Sequence, residues 1–253
     1  GSMLPRQAEG MVEAGLDELN LSVDGPPAMH DEVRRVPGLF NTIVQGIEKV
    51  REAQARTGKT RPIVNLTFAI NHKSAHTIRE MVPLARDVLK ADSLNLHHLL
   101  FISPDIFEEE RLRFADVFNG DIHGWRGFIS EDYKKIDTER LVEDLRWAMN
   151  EDHGIAITVY PNFPADEVGA YYRDPRFVSK AYAPRCLSPW MVSYIFPDGE
   201  VRPCLDFSIG LGSVREKPFT EIWNSDPYKK FRQEVRQRGT FSVCTKCTEL
   251  YRY

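Results

Sequence analysis

No cysteine occurs in the first 185 residues of this 253-residue chain, and all four fall within the last 68. Disulfides therefore cannot staple the amino-terminal part, and whatever thiol chemistry exists is gathered at one end. Apolar residues never run on for about 18 positions, so no segment reads as a membrane-spanning helix. The opening residues lack the charged-then-apolar pattern of an export leader, so the expected location is the cytoplasm. There, clustered cysteines bind metal more often than they pair. An excess of positive charge is also missing: 33 Lys and Arg stand against 37 Asp and Glu, for a formal net charge of −4. Such a chain is poor bait for a phosphate backbone, and nucleic acid is not an expected partner. No internal repeat or low-complexity tract is present. What is abundant is core material, with 42% hydrophobic residues and 14 Phe, 9 Tyr and 4 Trp, which excludes a disordered chain. At this length roughly 70% of the unfolded surface can be buried.

Helical and strand periods alternate over most of the chain. Pro5 to Glu18 reads as a helix with Ala8, Met11, Val12 and Leu16 on one face, and a strand follows from Leu19 to Asp24, closed by the turn Gly25-Pro26-Pro27. A second helix covers about Leu39 to Arg56, then a strand Ile63 to Ile70. Ser74 is placed to cap a helix reaching Lys90, followed by a strand from Leu94 to Phe101. A helix over about Thr138 to Glu151 delivers the strand Ile155 to Tyr160. Repeated strand–helix–strand units predict a parallel sheet with crossover helices.

Strands covered on both faces read as continuous apolar runs, and these do not. Asn20, Ser22 and Asp24 share one face of the first strand, Asn65 and Thr67 one face of the second, and Asn95 and His97 one face of the third. One reading is a solvated face. The sharper one is a barrel, or an open barrel, whose polar lumen holds a ligand near the carboxyl ends of the strands. Between the third and fourth strands, residues 102–137 form too long a connection for a simple crossover. It carries Phe107, Phe114, Phe118, Trp125 and Phe128, as a functional lid or as an insertion packing its own aromatics.

Cys244-Thr245-Lys246-Cys247 aims two thiols at one point. Cys204 ends a segment that reads as a β-hairpin turning at Pro197-Asp198-Gly199, with Cys186 just ahead of its first strand, Met191 to Phe196. Asp226 as cap and Pro227 at the first position predict a helix over Tyr228 to Arg236. Four cysteines suit a structural zinc or one [4Fe–4S] cluster. The 17 residues between Cys186 and Cys204 favour the cluster, because zinc sites usually use two tight pairs. Four unrelated buried cysteines, or a redox CxxC remote from any βαβ unit, are weaker readings.

The spacing of Cys186, Gly199, Cys204 and Cys244-x-x-Cys247 resembles the Twitch form of the SPASM extension of radical S-adenosylmethionine (SAM) enzymes. Phe219-Thr220-Glu221-Ile222-Trp223-Asn224-Ser225 is similar to the element that follows the hairpin there. Ser22-Val23-Asp24-Gly25-Pro26, with His30, Asp31 and Arg34 behind, is similar to the fourth strand of the radical SAM barrel and its exit. The resemblance implies an α/β fold: the later strands of a (βα)6 barrel over residues 1–183, then a small α+β Twitch/SPASM module over 184–253. It implies an auxiliary [4Fe–4S] cluster on Cys186, Cys204, Cys244 and Cys247, SAM contacts from Ser22, Asn65 and Thr67, and a substrate contact from His97. In the intact enzyme it implies reductive SAM cleavage to a 5′-deoxyadenosyl radical. That radical abstracts hydrogen from a peptide or small-molecule substrate, with an electron donor such as flavodoxin or ferredoxin as partner. The family's CxxxCxxC and GGEP-like segments do not occur here, so this chain alone is expected to be catalytically silent, and the strand at Leu19 is expected to present an unpaired edge. Two competing readings remain: a non-enzymatic αβ domain with a four-cysteine zinc site, and an αβ ligand-binding protein whose cysteines only staple its tail.

Overall fold

The computed structural model describes residues 1–183 and 185–252. Packing gathers the chain into two compact units, Gly1–Leu99 with Lys135–Ala165, and Leu100–Lys134 with Asp166–Tyr253. The boundary read from the sequence runs elsewhere: residues 100–134 and 166–183 pack with the cysteine-bearing part. Pro184, where that boundary falls, lies outside the described residues. No helix among the described residues is long and apolar enough to cross a membrane.

In chain order the elements begin α1 (Leu4–Glu13), β1 (Glu18–Ser22), α2 (Pro27–Arg34), α3 (Leu39–Thr57), β2 (Ile63–Ile70), α4 (Ile78–Pro83) and β3 (Ser93–His98). Next come α5 (Pro104–Phe118), α6 (Thr138–Asn150), β4 (Ala156–Tyr160) and α7 (Ala165–Arg173), of which α5 and, from Asp166 on, α7 belong to the second unit. All four strands of the first unit pair in parallel in the order β1-β2-β3-β4. This is the sequential, crossover-linked α/β arrangement expected of part of a radical SAM barrel. Among the described residues β1 pairs with β2 alone.

Alternation decides which side of the sheet is covered. Leu19, Leu21, Val64, Leu66, Phe68, Ile70, Leu94, Leu96 and Val159 are buried on one face. They form the core of the unit with the apolar stripes of α1 (Leu4, Ala8, Val12), α3 (Ile43, Ile47, Val50) and α6 (Leu141, Leu145, Ala148). α1 and α3 approach closely at Gly46, where a Cβ would stand 2.5 Å from Leu4 Cγ.

Local chemistry moves several boundaries. α1 stops at Glu13 rather than Glu18, because Gly15 takes a left-handed φ of 78° beyond its last turn. Gly25-Pro26-Pro27 is not only a turn: Pro27 opens α2, its missing N–H costing nothing at the first helical position. The helix expected over Ser74 to Lys90 is a 3₁₀ turn (Ala75–Thr77), α4, and a π turn (Leu84–Val88), since Pro83 cannot donate in the ladder. Ser74 does not cap it. Its hydroxyl instead donates to Ala69 O at 2.7 Å and accepts from Asn71 N–H at 3.1 Å.

The second unit holds α5, α7, α8 (Ser188–Met191), the hairpin strands β5 (Tyr194–Ile195) and β6 (Val201–Arg202), α9 (Phe219–Trp223) and α10 (Asp226–Arg238). The hairpin turns at Gly199, with φ +88°. Residues 102–137 are not a lid. Phe107, Phe114 and Trp125 are buried in one cluster with Phe207, Phe231 and Phe241, and Phe118 and Phe128 pack against it. α10 begins at Asp226, one residue earlier than expected, with Pro227 at its second position, and the cap is Ser225, whose hydroxyl accepts the Tyr228 N–H.

Candidate functional site

Cys186, Cys204, Cys244 and Cys247 line one cavity in the second unit, together with Pro189, Tyr194, Phe207, Phe231, Val235 and Phe241. Each sulfur is delivered by a different piece of local structure. Cys186 stands ahead of α8 and donates its N–H to Gly239 O at 3.2 Å, which ties it to the end of α10. Cys204 follows β6. Cys244 and Cys247 frame a 3₁₀ turn in which Cys247 N–H donates to Cys244 O at 3.0 Å.

That turn is anchored on every side. Glu110, fully buried on α5, accepts from Ser242 N–H at 2.8 Å and from Ser242 Oγ at 2.5 Å. Thr245 Oγ1 donates to Pro175 O at 2.8 Å. Lys246, with 0% of its surface exposed, donates Nζ to Asp174 O at 2.7 Å and lies 4.4 Å from the Tyr171 ring centroid. Burial pulls its amine down to about 7 against the opposing pull of Asp174.

The electrostatics define what the cavity can hold. All four thiols are raised, burial being the largest cause in each case, with Cys247 pushed up to about 12. Each is raised further by other anionic groups, including one another. Four thiolates would not coexist in so apolar a space without a cationic centre. Opposing that, backbone N–H groups two residues on favour the anion: Ser188 at Cys186, Asp206 at Cys204 and Glu249 at Cys247. Hydrogen bonds to sulfur of this kind tune iron–sulfur centres. Among the described residues, no three His, Cys, Asp or Glu side chains converge tightly enough for a single ion.

The other sequence-nominated residues lie on the open face of the sheet in the first unit. Ser22 is aligned with Thr67, Thr67 with Asn95, and Asn95 with Thr158, so one polar row crosses all four strands. Asn65 accepts from Ser93 Oγ at 2.7 Å. His97 is half-buried, aligned with Tyr160 at a ring separation of 5.5 Å, and burial lowers its pKa. Ser22, Asn65, Thr67 and His97 thus share a face. Asn95, Thr158 and Tyr160 were not nominated, although the same period-two alternation carried into β3 and β4 points to them. Asp24, at the exit of β1, is held by Arg34 (Nε–Oδ2 2.5 Å, Nη2–Oδ1 3.0 Å), and its N–H donates to His30 Nδ1 at 3.1 Å.

The sequence profile of the SPASM iron-sulfur cluster-binding domain matches residues 186–248, a span that contains all four cysteines. This match is consistent with the resemblance to radical SAM enzymes that carry a SPASM domain. Similar proteins include an "AdoMet-dependent heme synthase" of Methanosarcina barkeri, 25% identical over 96% of this chain and 64% of the relative. A second, from Nitratidesulfovibrio vulgaris, bears the same name and is 27% identical over 95% and 60%. A "Pre-heme d1 synthase" of Dinoroseobacter shibae is 23% identical over 95% and 56%. The chain spans somewhat over half the length of these relatives.

Proposed function

We propose that Cys186, Cys204, Cys244 and Cys247 hold one auxiliary [4Fe–4S] cluster of a radical SAM enzyme whose substrate and SAM lie against the open face of the sheet. The observation that carries this reading is the apolar cavity lined by all four sulfurs. A zinc site draws its sulfurs to about 2.3 Å from one ion. The corner irons of a cube spread their four sulfurs wider. With four thiols present, every iron is ligated, which favours electron transfer or a structural role over direct substrate ligation.

Ser22, Asn65 and Thr67 are assigned to SAM and His97 to the substrate, on the shared polar face. SAM, when cleaved, supplies a 5′-deoxyadenosyl radical; the chain's own residues bind, orient and exclude water. The names of the relatives favour a small molecule of heme formation over a peptide as substrate.

Anaerobic reconstitution with iron and sulfide tests the cluster assignment. About four iron and four sulfide per chain are expected, as in a [4Fe–4S] centre, with most of the iron lost in Cys204→Ala. A colourless chain carrying one zinc, or iron binding indifferent to Cys204→Ala, would overturn it.

A further inference from the structure

α10 has two unlike sides. Tyr228, Phe231 and Val235 are buried, and Phe231 and Val235 line the cysteine cavity. Lys229, Arg232, Gln233, Arg236 and Gln237 recur at three- and four-residue spacing along another side. With Trp190 they line an open cleft of about 450 Å³. Three cations and no carboxylate line this cleft, in a chain whose formal net charge is −4. The nearest acid to Lys229 is Asp226, 3.7 Å away at the first turn of the helix.

The cleft is braced rather than loose. Arg232 donates Nε to Pro189 O at 2.9 Å and Nη1 to Trp223 O at 2.8 Å, and its guanidinium lies 4.1 Å from both the Trp223 and Tyr228 rings. Its Nη2 finds no protein acceptor among the described residues. Trp190 has the Arg185 and Arg236 guanidinium groups each 5.9 Å from its ring. It follows Pro189, a wall residue of the cysteine cavity, and packs on the same apolar cluster as Cys186. α10, about 10 Å across with its side chains, thus lends residues to both the cationic cleft and the cysteine cavity.

We propose that this cleft is the docking surface for a small acidic one-electron carrier protein, which exchanges electrons with the centre in the cysteine cavity. The proposal rests on the iron–sulfur reading of that cavity. Charge complementarity selects the partner: an acidic protein is repelled by the net negative charge of the chain and steered to a groove that carries three cations and no carboxylate. In the step, the carrier's reduced cofactor is oxidised by one electron and the cluster is reduced from the 2+ to the 1+ state. No bond is made or broken.

The test follows reduction of the reconstituted chain by a reduced plant-type [2Fe–2S] ferredoxin in an anaerobic stopped-flow instrument. Photoreduction by an uncharged deazaflavin serves as the reference. Lys229→Glu with Arg236→Glu is expected to slow the ferredoxin reaction about tenfold or more at low salt and to flatten its salt dependence. Iron content and deazaflavin photoreduction should stay unchanged. Lys229→Gln with Arg236→Gln, which adds no like-charge repulsion, should give a smaller loss of the same sign. A parent chain that takes up iron but is not reduced by ferredoxin overturns the proposal, as do charge-reversed rates within about twofold of the parent. So does a cleft that binds nucleic acid while ferredoxin reduction is indifferent to these charges. A parent chain that binds no iron refutes the cluster reading instead.

Discussion

Asp24 is 6% exposed where β1 gives way to α2, and three groups depend on it: the Arg34 fork, the His30 ring and the chain turn itself. Burial raises its carboxyl, but its contacts with His30 and Arg34 outweigh that and hold the pKa below the ordinary value. A carboxylate depressed in the folded state stabilises above its unfolded pKa, and the contribution is lost as pH falls through the folded one. Asp24→Asn is expected to cost on the order of 1–3 kcal/mol at neutral pH and to flatten stability below about pH 4, read by urea titration. His98 works in the opposite chemical sense. It is 3% exposed beside Phe163, and burial, then the neighbouring His97, lowers its pKa to about 3. The unfolded chain therefore binds a proton that the folded chain refuses, so stability is full above about 6.5 and declines as pH falls toward 3. His98→Leu should remove this acid sensitivity, a difference on the order of a few kcal/mol near pH 3, and a variant no more acid-stable than the parent would contradict it. At this scale the sequence was legible where alternation speaks, as at Asn65 and Thr67. It was silent where meaning comes from distant partners: nothing near Glu110 in the chain announces that its carboxylate will meet Ser242.

Capping and anchoring decide the elements. Ser225, not Asp226, receives the Tyr228 N–H, so Ser225→Ala is expected to lower stability by about 1 kcal/mol and Asp226→Ala by less. Equal losses, measured by thermal unfolding, would restore Asp226 as the cap. The turn between Cys244 and Cys247 depends on α5, because removing the Glu110 carboxylate strands the Ser242 N–H in the interior. Glu110→Ala should cost on the order of 2 kcal/mol and also lower the iron retained on gel filtration. Iron retention equal to the parent's would show that the turn is held without α5. The four strands were legible to within a few residues because period-two patterning is strong on a sheet with one covered face. α5 was hidden in a segment dense with acidic residues and aromatics, whose apolar partners Phe207, Phe231 and Phe241 lie some hundred residues downstream. α4 is shorter than its apolar period suggests because Pro83 interrupts the hydrogen-bond ladder.

For the whole molecule, the gathering of cysteines at one end was the most informative feature of the sequence, and those residues do line one cavity. Less legible was the extent of the cysteine-bearing unit, which takes in residues 100–134 and 166–183 as well. That unit draws its core from two separate stretches of chain, and no local signal reports such an assembly. Its logic is that of a protein-built mould: buried anchors position four thiols whose charged forms need a metal core to coexist. X-ray absorption on anaerobically isolated chain tests this most directly. The account predicts an iron edge with sulfur ligands and further iron atoms as close neighbours. A zinc edge with four sulfurs at about 2.3 Å and no neighbouring metal would contradict it.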